Sequence, residues 1–299
     1  MPVLKGGQPQ ENFCGGTKME NIKNAELREK LKDMKIVFED NFDTPELDMT
    51  KWDFTDYMAG YSDMPTLTNS EVQSIEKDEN GNSYLHLTAK RTGENTFQTV
   101  KTITTGNKLT FIFGYVEIRA KVPTVKGAWP SLWLKSNTKN KHLGWHDNID
   151  YNIEVDVFEV MGGNAARPEL HKWVQKPFAD KRTGTFEWPN VYSILDNDWH
   201  TYGMLWTKDC INMYVDGVLF QHYDLNKDFS DDGLGMNGFR TEAMCISFNN
   251  HLFTPEYHKS QTNGWVFNKV LDESFTESVY DIDYVRLYQG KDGILYKAD

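Results

Sequence analysis

Cysteine is nearly absent from this chain: Cys14, Cys210 and Cys245 are the only three among 299 residues. That scarcity excludes a disulfide framework and a cysteine-built zinc cluster, allows one bridge at most, and suits Cys210 and Cys245 to be small buried residues. Long apolar runs are missing as well. No stretch approaches the ~18 uncharged residues of a membrane span, and "MPVLKGGQPQENFCGG" has no signal-peptide apolar core. Basic runs are the third absence. With 32 Lys+Arg against 44 Asp+Glu, the formal net charge is −12, which leaves nothing to track a phosphate backbone and excludes nucleic acid as a partner. There is no βαβ alternation, internal repeat or low-complexity linker.

Aromatic residues, by contrast, are plentiful at 13%, with 9 Trp and 14 Tyr. They offer flat apolar faces with one polar edge, which suit sugar rings as well as cores and interfaces. Residues 1–34 read as an irregular lead-in ending in a short helix. In "NAELREKLKDM", Leu27, Leu31 and Met34 fall at helical spacing behind an Asn24 cap, so the helix should lie as a strap against the main body. From Lys35 onward, short β-type runs such as "KIVFEDNF", "SYLHLTAKR", "FGYVEIRAKV" and "VYDIDYVRLYQ" alternate with Gly, Asn, Asp and Pro. "VDGVLF" and "ENGNSYLHL" carry hairpin-turn signals. Residues 35–299 are therefore expected to form one all-β sandwich, with strands drawn from both chain ends.

Within that pattern, "DNIDYNIEVDVFEVMGG" places Glu154, Asp156 and Glu159 in a run otherwise made of Val, Ile and Phe. Residues two apart on a strand share a face, so Glu154 and Asp156 point together and Glu159 points away. A β-bulge at or near Val157-Phe158 restores the parity, placing all three acids on one face and Val155 in the core. Exposed edge strands also carry acids, but the apolar flanks favour a central strand, where clustered carboxylates push one another's pKa values apart. One protonated and one ionised carboxylate, about 5 Å apart, is what retaining cleavage of a glycosidic bond requires.

The segment resembles the catalytic strand of glycoside hydrolase family 16, in the bulged E-x-D-x-x-E form of its laminarinases, agarases and carrageenases. "VFEDNFDTPELDMTKWDF", "FGYVEIRAKVP", "GAWPSLWLKS", "DWHTYGMLWTKDCINMYVDG" and "YDIDYVRLY" are similar to other strands of the family, in the right order from about residue 36 to residue 289. The resemblance implies a concanavalin-like β-jelly-roll: two curved antiparallel sheets with a concave substrate cleft. It makes Glu154 the nucleophile, Asp156 the residue that holds and tunes it, and Glu159 the general acid/base.

Around these, Trp129 and Trp133 alternate with Pro130 and Leu132, so their indoles should share a face and serve as sugar platforms. The resemblance places His171 near the scissile sugar, as a donor close to the nucleophile, with Trp173 at the same parity. Asn69, in "TNSEVQS", matches an early Asn-x-Glu segment and is a candidate hydrogen-bond donor to a sugar hydroxyl. Trp145 and His146, in the polar loop entering the catalytic strand, are expected to rim the cleft. No cofactor is expected for catalysis. A structural calcium is a family trait, and Glu39 and Asp283 are its candidate ligands.

The activity implied is an endo-acting, retaining β-glycanase, with a β-1,3- or mixed-linkage β-glucan as the leading substrate. "EVMGG" leans toward the laminarinase side. The alternatives are an endo-β-galactosidase acting on agar, porphyran or mucin-type O-glycans and, in a different class, a non-catalytic carbohydrate-binding protein. A monomer that is secreted, periplasmic or held at the cell surface is expected, its targeting signal already removed.

Overall fold

A computed structural model describes residues 24–56, 63–136, 151–163, 165–175, 178–182, 195–226, 238–260, 270–271 and 273–298. In chain order, α1 (Ala25–Leu31) leads into β1 (Lys35–Asp40), β2 (Asp53–Thr55), β3 (Thr66–Leu67), β4 (Gln73–Lys77), β5 (Ser83–Gly93) and β6 (Thr96–Val100). Next come β7 (Thr102–Thr104), β8 (Leu109–Ile112), β9 (Gly114–Lys121), β10 (Ala128–Lys135), β11 (Tyr151–Val160), β12 (Ala166–Gln175) and β13 (Phe178–Arg182). The rest are β14 (Trp199–Trp206), β15 (Cys210–Val215), β16 (Val218–Asp224), α2 (Gly238–Thr241), β17 (Cys245–Leu252), α3 (Pro255–Ser260), β18 (Glu277–Gln289) and β19 (Ile294–Lys297).

Alternating apolar residues sort these strands into two layers. The first sheet runs β16-β15-β14-β9-β18-β5-β6-β3, with β1 also on β18 and β4 also on β5. The second runs β13-β12-β11-β10-β17-β7-β2, and β8 pairs with β19 apart from both. Leu85, Leu87, Val116 and Ile118 of the first sheet meet Leu132, Leu134, Val155 and Phe248 of the second in one buried core. Each such side chain contributes about 1.5–3 kcal/mol through burial. Asn250 of β17 also turns inward, donating its amide to the carbonyls of Leu87 (3.0 Å) and Ser278 (2.9 Å). It fastens the second sheet to the first.

This is the all-β sandwich that the strand pattern implies, in the jelly-roll form that the resemblance implies, and strands from both chain ends do pair: Lys35 to Asp40 align with Gln289 to Val285. Asp216 and Gly217 take φ values of 50° and 74° between β15 and β16, the left-handed pair that an Asp-Gly hairpin turn demands. The Asn24 carboxamide accepts from the backbone N–H groups of Glu26 and Leu27, capping α1. Leu27 and Leu31 then pack on Tyr115, Leu205, Tyr214 and Tyr288, on the outer face of the first sheet. The helix ends at Leu31, short of Met34, which still packs at the edge of that patch. Beside it, Glu117 is buried and accepts hydrogen bonds from the Tyr115 and Tyr284 hydroxyls, both at 2.8 Å. Cys245 is buried as expected, whereas Cys210 is half-buried, and both are free thiols.

Candidate active site

β11 is the strand on which the site is built. Against β10, Leu132 aligns with Phe158 and the next residue, Trp133, aligns with Asp156. Val157 is therefore the extra residue, and β12 registers the same irregularity between Asp156 and Glu159. Ile153, Val155, Val157, Phe158 and Val160 all face the core. The bulge leaves Glu154, Asp156 and Glu159 together on the outer face of the second sheet.

Each carboxylate has a different partner there. The Lys135 ammonium donates to Glu154 Oε2 at 2.7 Å, the His171 imidazole Nε2 lies 3.0 Å from Asp156 Oδ2, and the Trp129 indole donates to Glu159 Oε1 at 2.7 Å. Burial raises the Asp156 carboxyl to about 6, against the pull of the His171 hydrogen bond and with a push from the charge of Glu154. Burial and then the charge of Asp156 raise Glu159 further, to about 8, although His171 and the Trp129 hydrogen bond favour its ionised form. The two carboxyls are thus set apart, with Glu159 more readily protonated than Asp156.

The neighbouring strands supply the rest of the face. On β10, Trp129, Ser131, Trp133 and Lys135 alternate outward, opposite His251, Asn249, Ser247 and Cys245 of β17. The Asn249 side-chain oxygen accepts from both Ser131 Oγ (3.0 Å) and Trp133 Nε1 (2.9 Å), while its amide donates to the Trp129 carbonyl (3.3 Å). Trp129 and Trp133 do share one face, as expected. Trp133, however, is only 8% exposed, and the Trp129 ring stacks on Phe253 with centroids 4.5 Å apart. What both indoles offer most directly is an N–H donor.

His171 pairs in register with Glu154, lies 3.0 Å from Asp156 Oδ2, and keeps a ring nitrogen within 4.8 Å of a Glu154 carboxylate oxygen, close to the nucleophile candidate. A nearly parallel stack on Trp173, centroids 5.1 Å apart, fixes its ring. Asn69 lies in the exposed turn before β4, where its side-chain oxygen accepts from the Glu71 backbone N–H. Trp145 and His146 lie outside the described residues. Glu39 and Asp283, the expected calcium ligands, are each paired with an arginine, Arg286 at 2.8 Å and Arg119 at 2.7 Å. Among the described residues, the acid and imidazole groups close enough to share an ion are Glu154, Asp156 and His171, with ligand atoms within 4.8 Å. They are already engaged with one another and with Lys135.

Two glycines close the end of the site. Gly127 precedes β10 with φ of 86°, and Gly162 follows β11 with φ of 66°. A Cβ on Gly162 would lie 2.8 Å from the Gly127 nitrogen, and the Gly162 N–H donates to the Ala128 carbonyl at 3.0 Å. The "KGAWP" and "VMGG" segments abut at a point where no side chain fits.

Residues 63–250 match the family model described as glycosyl hydrolases family 16. The chain is 28% identical over 204 residues to the glucan endo-1,3-beta-glucosidase A1 of Niallia circulans, covering 62% of this chain and 29% of that protein. It is 31% identical over 206 residues to the kappa-carrageenase of Pseudoalteromonas carrageenovora, covering 63% of this chain and 45% of that one. It thus spans less than half the length of either relative. A solved Flavobacterium laminarinase superposes with a TM-score of 0.61 at 24% identity, covering 85% of this chain and all of that one.

Proposed function

Because the chain belongs to glycosyl hydrolases family 16, we propose that it is an endo-acting, retaining β-glycoside hydrolase whose substrate is a β-1,3- or mixed-linkage β-glucan. The observation that carries this is the unequal treatment of two glutamates on one face. Glu159 is pushed up to about 8, so it holds a proton at neutral pH, while Glu154 accepts from an ammonium. In the first step Glu159 protonates the departing glycosidic oxygen as Glu154 attacks the anomeric carbon, forming a glycosyl ester. Glu159 then takes a proton from water, whose oxygen displaces Glu154. Asp156, linked to His171 and close enough to feel the charge of Glu154, tunes the pair. A protein that only binds sugar has no need of a proton held in this way.

The glucan assignment is supported by the glucan endo-1,3-beta-glucosidase relative. The carrageenase relative favours a second reading, an endo-β-galactosidase acting on agar, porphyran or mucin-type O-glycans. Trp129, Trp133, Trp173 and His171 line the sugar path in either case, with Asn69 a hydrogen-bond donor to a sugar hydroxyl. Polysaccharides too large to cross a membrane are met outside the cell, so we place the protein there, as a secreted, periplasmic or surface-held monomer. The test is digestion of laminarin, barley β-glucan, agarose, porphyran and mucin glycans with products read by mass, and proton NMR of the first product. A glucan oligosaccharide born as the β-anomer supports the proposal; an α-anomer, or no cleavage of any of the five, overturns it.

A further inference from the structure

Lys135 sits in the "GAWPSLWLKS" segment without an assigned role, yet its ammonium donates to Glu154. We propose that Lys135 is a positioning residue for the second half of the reaction, keeping the Glu154 carboxylate a good leaving group when water releases the sugar. This rests on Glu154 being the nucleophile.

Three observations converge. The Lys135 ammonium reaches Glu154 Oε2 at 2.7 Å, and the two side chains are only 16% and 12% exposed, so the pair is largely shielded from solvent. By holding Oε2 it leaves Oε1 to bond the anomeric carbon. The same ammonium lies 5.7 Å from the Trp133 ring centroid and 5.4 Å from that of Trp173, both within cation–π range. Those indoles are themselves held, Trp133 by Asn249 and Trp173 by the His171 stack. The cation therefore keeps favourable surroundings at the moment Glu154 loses its charge.

The consequence differs between the two steps. Ester formation consumes the carboxylate charge, so a neighbouring cation gives that step no advantage. In the ester, Oε2 is a carbonyl oxygen that still accepts from Lys135. As water attacks the anomeric carbon, the carbon–Oε1 bond breaks, its electron pair returns to the carboxylate, and the water proton passes to Glu159. The negative charge reappears at the position Lys135 already occupies, the arrangement that stabilises a transition state without reorganisation.

The experiment compares full-length wild type, Lys135→Met, Lys135→Gln and Lys135→Arg on 2,4-dinitrophenyl β-laminaribioside, whose leaving group needs no acid. Release of dinitrophenolate is followed before and during steady state, with intact-protein mass spectrometry of the glycosyl adduct and melting curves for folding. The methionine variant is expected to lose on the order of 10²-fold in steady-state rate, the cost of removing one preorganised donor, with a burst rate within about threefold of wild type, a lower KM and an adduct that accumulates. Arginine is expected to restore most of the steady-state rate. Glutamine, which keeps a donor without the charge, should fall between them, and supplies the same readout should methionine unfold the sheet. Equal losses in both phases, no loss in either, or a slowed steady state without adduct overturns the role of Lys135 while leaving the hydrolase proposal standing. A wild-type chain that forms no adduct and releases no dinitrophenolate overturns both.

Discussion

Each sheet carries a glutamate on its outer face, Glu117 buried and Glu159 half-buried, and the two have different surroundings. Glu117 of the first sheet is raised by burial but drawn back by two tyrosine hydroxyls and the charge of Arg286. Glu159 of the second sheet is raised by burial and raised again by Asp156 and Glu154, with one indole donor in opposition. Burial alone therefore does not distinguish a site from a scaffold. What distinguishes them is the company: phenols and an arginine offset the effect of burial on one glutamate, whereas neighbouring acids add to it on the other.

The strongest way to break this contrast is to neutralise both kinds of acid. Glu154→Gln and Glu159→Gln are each expected to lower hydrolysis of the best natural substrate by at least about 10³-fold, since an amide can neither attack nor transfer a proton. Oligosaccharide binding, measured by calorimetry, should persist. Glu117→Gln should leave the rate within about twofold and lower stability by about 1–3 kcal/mol, the cost of disturbing a buried hydrogen-bonded group. A large rate loss in Glu117→Gln would erase the distinction. Asp156→Asn comes next, with an expected loss of about 10²-fold, because it acts on its neighbours without making or breaking a bond.

The pH profile sharpens the comparison further. A general acid works only while protonated, so kcat should decline as pH rises through about 8, where Glu159 titrates. Trp129→Phe removes a hydrogen bond that favours the ionised form, so this basic limb should move to higher pH. The same shift has a stability sign. Between the ordinary carboxyl value and about 8 the folded chain binds more protons at Glu159 than the unfolded chain does, so stability should fall as pH rises across that window. Melting curves of wild type and Glu159→Gln between pH 5 and 8 would show it, the glutamine variant having the flatter slope. The smallest effect expected is on the scaffold: Gly162→Ala should cost about 1–3 kcal/mol through its positive φ and the approach of Gly127, with a modest loss of rate.

Much of this was legible in the chain. The spacing of Glu154, Asp156 and Glu159 demanded one extra residue, and Val157 is that residue. The Asp216-Gly217 turn, the Asn24 cap and the shared face of Trp129 and Trp133 followed from local rules. Partnerships set by register did not. Lys135 was within reach, being two residues beyond Trp133 and thus on its face, but nothing local says that a lysine there meets Glu154. Asn249 lies 116 residues from the indole it orients, and His171 turned to Asp156, two positions from its register partner. The ion pairs of Glu39 with Arg286 and of Asp283 with Arg119 likewise join residues on different strands.

The bulge at Val157 also changes how this strand compares with its relatives. Because it adds one residue to the chain without changing which side the last glutamate points to, losing it is neutral for facing. A shorter strand spelled E-x-D-x-E, regular throughout, presents the same three acids to the same side. A gap at this position in an alignment therefore records a change in strand curvature rather than the loss of a site, and chains that differ by one residue here remain comparable acid for acid.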